Sequence, residues 1–87
     1  MHSKYDETLQ AILVKGEEKI LPVIVQTVDG LKKEDEQTVK SLGGTIKKNL
    51  YIVNAFSADL PAKAIPILAL NPRVTKIYYD AKIQAAD

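Results

Sequence analysis

Eighty-seven residues make one domain with a small core, so stability has to come from a very regular fold or from a partner. Twelve basic residues against eleven acidic ones, mixed along the chain, give a formal charge of +1 and no clustered positive patch, so no nucleic acid partner is expected. The absence of cysteine excludes disulfides and thiolate metal sites, no apolar run approaches membrane-spanning length, and the first residues lack the basic-then-apolar layout of an export signal.

In chain order, Tyr5, Leu9, Ile12 and Leu13 recur at helical spacing and predict a short amphipathic helix over 3–15, with Ser3 as its cap and Asp6 and Glu7 near the positive end of its dipole. Residues 20–27 form a nearly continuous β-branched run, the pattern of a buried strand, with Pro22 near its start where a missing donor matters least. Asp29-Gly30 turns the chain into a helix over 31–42 with Leu31, Thr38, Val39 and Leu42 on one face. The charge run 32–36 reads as a solvated helix face. Gly43-Gly44 ends that helix as a left-handed cap plus turn. The stretch 43–61 is the centre of the chain. It predicts a hairpin through two apolar segments of strand character around Lys48-Asn49 and Asn54. Residues 61–70 predict another helix, with Pro61 in its first turn, Pro66 bending it and Asn71-Pro72 closing it. Residues 74–79 are the last strand.

Strand, helix, strand, strand, helix, strand with short connections predicts an α+β domain of ferredoxin-like βαββαβ type. Its four-stranded antiparallel sheet carries two helices on one face, and a short N-terminal helix precedes it. The expected division is an N-terminal helical extension over 1–19, the domain over 20–80 and an extended C-terminal tail over 81–87. The other sheet face has to be solvated or covered by a partner.

Enzyme chemistry finds little material. The one histidine, His2, stands at the chain start, and carboxylates occur mainly in the helix-face run or singly at turns. No cofactor or metal is expected, and Asp59 and Asp80 read as turn or strand-end residues. An RNA-binding ferredoxin-like domain would use aromatics on its central strands. Tyr51 and Phe56 are the candidates, although core or sheet-surface packing is the better reading of both. A small-molecule-sensing domain of the same fold stays open.

Gly43-Gly44-Thr45-Ile46, Leu50, Val53-Asn54-Ala55-Phe56-Ser57-Ala58, Leu60-Pro61, Ala64-Ile65, Leu68, Asn71-Pro72-Arg73-Val74 and Asp80, in this order and spacing, resemble the propeptide domain of subtilisin-type serine proteases, a family that includes small free-standing subtilisin inhibitors. Val23-Ile24-Val25 is similar to the family's first strand, so the resemblance runs from Leu21 to the C-terminus. The preceding helix resembles the leading segment of longer bacterial propeptides, which favours a piece of a secreted protease precursor over a free-standing inhibitor. The resemblance implies a non-enzymatic domain, a monomer when free, that speeds folding of its protease and then inhibits it. In the family the open sheet face packs on two surface helices of the protease, and the C-terminal tail lies in the active-site cleft like a substrate. By the same resemblance Asp80 caps a protease helix, and Tyr78 stands where the best-known members carry a second acid. Ile83 falls four residues before the scissile bond, Gln84 and Ala85 between, and Ala86 at the specificity position. One of Tyr78 and Tyr79 is expected to pack under the helices and the other to face outward, by strand alternation.

Overall fold

The computed structural model describes residues 4–16 and 18–80. Its elements are α1 (Glu7–Val14), β1 (Ile20–Thr27), α2 (Lys33–Ser41), β2 (Thr45–Leu50), β3 (Ala55–Pro61), α3 (Ile65–Ala69) and β4 (Val74–Tyr79), with single 3-10 turns at Tyr51–Val53 and Ala62–Ala64. The sheet order is β2-β3-β1-β4 and every neighbouring pair is antiparallel, the ferredoxin-like arrangement expected from the sequence. All three helices send side chains into one core. Leu9 of α1, Val39 of α2 and Ile65 and Leu68 of α3 meet Leu21, Val23 and Val25 of β1 and Phe56, Ala58 and Leu60 of β3. Each of the larger of these side chains withdrawn from water stabilises the fold by about 1.5–3 kcal/mol, Ala58 by less.

Local chemistry explains where several elements depart from the sequence reading. The first helix starts at Glu7, because the Asp6 carboxylate caps it by accepting the Leu9 N–H at 2.9 Å. Tyr5 lies outside that helix and forms a parallel bridge with Ile77, while Ser3 falls outside the described residues. Pro61 belongs to β3, paired with Ile20, rather than to a helix. Pro66 occupies the second position of α3, where its missing N–H has no helical partner to lose, so it helps to start a short helix instead of bending a long one. Pro22 is the third residue of β1, one before the pairing with β4 begins.

The two adjacent glycines are needed for different reasons. Gly43 takes φ +89° after α2, the left-handed conformation of a helix stop. At Gly44 the backbone passes so close to β3 that a Cβ would meet the Asp59 carbonyl oxygen and Leu60 Cδ2 at 2.6 Å.

The charged run also holds a correction. Asp35 is 3% exposed, not solvated. One of its oxygens accepts the Lys32 N–H at 2.8 Å, which caps α2 where Lys32 offers no acceptor of its own. The other accepts from the Arg73 guanidinium, which also donates to Asp29 Oδ1 at 2.7 Å and to the Gly30 carbonyl at 3.0 Å. This node ties the start of α2, the β1–α2 turn and the α3–β4 loop. Hydrogen bonding to Arg73 holds the Asp29 carboxyl below its ordinary value, and hydrogen bonding to Asp35 and then Asp29 holds the Arg73 guanidinium above its own.

Gly44→Ala is expected to lower unfolding stability by about 1–3 kcal/mol, read from urea denaturation. Arg73→Ala leaves the buried Asp35 charge without its partner and is expected to cost about 3 kcal/mol in the same measurement. Asp29→Asn has the smaller effect, since Asp29 is exposed. Its folded pKa lies below the unfolded one, so its contribution is complete above pH 3.8 and lost as pH falls through the folded value. The stability difference between parent and Asp29→Asn should therefore close in acid.

Candidate functional site

Alternation along the strands sorts the sheet into two faces. Leu21, Val23 and Val25 point to the helices and are 0–3% exposed, while Pro22, Ile24 and Gln26 point the other way and are half-buried. Register carries the second set across the sheet. Ile24 pairs with Ser57 on one side and Tyr78 on the other, and Gln26 pairs with Ala55 and Lys76. On β2, Lys48 stands opposite Ser57 and Leu50 opposite Ala55.

This face has a distinct relief. Ala55 and Ser57 are buried although they lie on the face turned away from the described helices, where their cross-strand neighbours are Gln26 and Leu50 for Ala55 and Ile24 and Lys48 for Ser57. Along β3 this makes a trough in side-chain size, small residues set between Ile24 and Gln26 on one flank and Lys48 and Leu50 on the other. At one end Lys47 pairs with Asp59 at 3.4 Å. At the other end the Gln26 side-chain amide donates to the Val53 carbonyl at 3.1 Å and anchors the β2–β3 turn against the face. On β4, Tyr78 is 38% exposed with the Lys76 ammonium 5.8 Å from its ring centroid.

The turn itself corrects the hairpin reading. Tyr51, Ile52 and Val53 form its exposed tip at 72%, 83% and 52% rather than packing in the core or on the sheet, and Asn54 closes it at φ 55°. Phe56, by contrast, is a core residue. Of the tyrosine pair, Tyr79 packs against the core and Tyr78 faces outward, as alternation required.

The residues proposed for partner contact are distributed unevenly. Tyr78 lies on the open face. Asp80 follows β4, its N–H donates to the Pro22 carbonyl at 3.0 Å, and it is 5% exposed, so little of it is free to cap a partner's helix. Ile83, Gln84, Ala85 and Ala86 lie outside the described residues. Sequence reasoning named Ile24, Ala55 and Ser57 only within the family resemblance, not as a set on one face, and did not single out Gln26. Small residues on one strand gain meaning only once the register sets them between longer neighbours.

Compared with known proteins, the chain matches no family model, no curated sequence and no solved structure.

Because the tip already stands in water, Ile52→Ser is expected to change unfolding stability by less than about 0.5 kcal/mol. A larger loss in urea denaturation would mean that the tip is packed in solution.

Proposed function

We propose that this domain binds a folded hydrolase and catalyses nothing itself: it is the propeptide-type chaperone and inhibitor of a subtilisin-like serine protease, belonging to a secreted precursor. The observation that carries the reading is the sheet face that no helix among the described residues covers, with its row of small residues on β3, on a ferredoxin-like frame. Four strands about 4.8 Å apart make a face roughly 15 Å across. Two helices packed side by side at about 8–10 Å have axes that fit such a width. Ala55 and Ser57 are already buried at 1% and 6%, so the apolar contact area of this face comes from Tyr78, 38% exposed, and half-buried Leu50 toward the margins.

The sequence resemblance adds the second half of the mechanism. The chain continues past Asp80 at the end of β4, and an extended segment there would bind in a protease cleft by adding as a strand. Main-chain hydrogen bonds would give affinity, and alternate side chains selectivity. A domain that binds the native protease and not the unfolded one lowers the free energy of the native state, and it does the same for a slow folding step whose transition state already carries the docking helices. Inhibition and assisted folding are then one binding energy used at two times.

The RNA-binding alternative draws no support from the face. The outward residues of the two central strands are Ile20, Pro22, Ile24 and Gln26 on β1 and Ala55, Ser57, Asp59 and Pro61 on β3, so no aromatic is available there to stack a base.

The test is inhibition of a subtilisin-type protease by the purified chain. Removing residues 83–87 is expected to abolish substrate-like competition. Ser57→Arg, which puts a long charged side chain on the open face, is expected to weaken inhibition by at least about tenfold, or roughly 1.4 kcal/mol, with the melting curve recorded beside it to separate lost contact from lost fold. Undiminished inhibition by Ser57→Arg would take the sheet face out of the interface, and inhibition that survives loss of the tail would rule out substrate mimicry.

A further inference from the structure

The N-terminal segment does more than precede the domain. Residues 4–6 cover the outer edge of β4: the Ile77 N–H donates to the Lys4 carbonyl at 2.6 Å, and the Asp6 N–H donates to the Ile77 carbonyl at 3.1 Å. Asp6 Oδ1, which caps α1, also accepts the Tyr79 N–H at 3.4 Å. The Lys4 ammonium donates to the Ala69 and Asn71 carbonyls at 2.7 and 3.1 Å, closing the end of α3. Leu9 is 0% exposed in the common core, with Ile12 and Leu13 packed against it. At the end of α1 the chain emerges: Val14, its last residue, is 79% exposed, Lys15 and Gly16 are exposed, and Gly16 turns the chain at φ +71°.

We propose that segment 4–16 is a latch on β4, and that one cut at the exposed Lys15–Gly16 bond by a broad-specificity protease disarms the domain. The second half rests on the protease-inhibitor reading, since β4 is the strand that leads into the C-terminal residues. The latch closes because it is tethered. Through a short link its effective concentration is on the order of millimolar. Released, it is an eight-residue helix, below the roughly 12–15 residues at which isolated helices become even marginal in water. Leu9, the partly buried Tyr5, Ile12 and Leu13 and a few hydrogen bonds at the β4 edge hold the segment only while the tether keeps it close. Its departure would leave β4 as a bare edge over an emptied Leu9 site. Exposed links of this kind are where proteases nick folded domains. The enzyme being inhibited would thereby hold the means to end its own inhibition.

To test this, a recognition sequence for a site-specific protease is inserted after Gly16 in the full chain. Cut and uncut protein are compared at micromolar concentration by size-exclusion chromatography, amide hydrogen exchange and inhibition of a subtilisin-type protease. The uncut protein is expected to keep slow exchange at Ile77 and Tyr79. After cutting, fragment 1–16 should elute separately, exchange at those two amides should rise at least about tenfold, and inhibition should weaken by a similar factor. A fragment that stays bound, or that leaves without changing exchange at Ile77 and Tyr79, overturns the latch. Chromatography and exchange need no protease, so they judge the latch even if the uncut protein inhibits nothing. Inhibition that persists after the fragment leaves keeps the protease reading and overturns its proposed regulation.

Discussion

The structure depends on the two-residue alternation of β1, the one strand flanked on both sides by strands that are themselves packed into the core. Leu21, Val23, Val25 and Thr27 face the helices and Pro22, Ile24 and Gln26 face away. A slip of one residue in its pairing would exchange these sets and drive Gln26 toward the core while exposing two valines and a leucine. At about 1.5–3 kcal/mol for each large apolar side chain, that exchange is comparable to the whole stability of a small domain. The register of β3 and β4 is therefore inherited from β1. The trough is its consequence, because Ser57 and Ala55 lie on the open face only while Ala58 and Phe56 lie opposite Val23 and Val25.

A sheet built this way has two edges, and they are managed differently. The β4 edge is covered by backbone pairing from residues 4–6, with Leu9 adding to the core. The β2 edge is short, irregular where its register shifts between Ile46 and Lys48, and carries Lys47 and Lys48 side by side. A bulge and adjacent lysines discourage another strand from adding there. The helix before residue 20 thus shares the core of the ferredoxin-like unit, which a chain this small has reason to enlarge.

How much of this was legible in the sequence follows from how local each signal is. β1 and β4 are β-branched runs with clear ends, and the predicted spans agree with the observed Ile20–Thr27 and Val74–Tyr79. The pattern of α2 is equally local: Val39 is buried and Leu31 and Leu42 pack against the core. What escaped depended on partners distant in the chain. Asp35 reads as one more charge on a polar face until Arg73, thirty-eight residues later, faces it. Tyr51-Ile52-Val53 has strand composition, but strand residues need a neighbour to pair with, and the hairpin turns there. Pro61 suits a helix start and an edge or end of a strand alike, and only its pairing with Ile20 decides between them. The open-face residues were the least legible, since nothing in Ala55 or Ser57 taken singly suggests a site.

The same separation bears on where function resides. Many residues that carry the family resemblance hold the frame together. Gly43 stops a helix, Gly44 lets two backbones approach, Asn54 closes a turn and Arg73 clasps three segments. A chain adopting this fold needs such groups whether or not it ever meets a protease, so they argue for the frame more than for the activity. The groups with no evident part in the frame are of another kind. Tyr78 on the open face and Ile52 at the tip leave apolar surface in water, where polar residues would serve solubility better. Ser57 keeps the floor low at a position where a strand alone would favour a larger, β-branched side chain. The proposed partner contact therefore rests on the open face and not on the groups that hold the frame together.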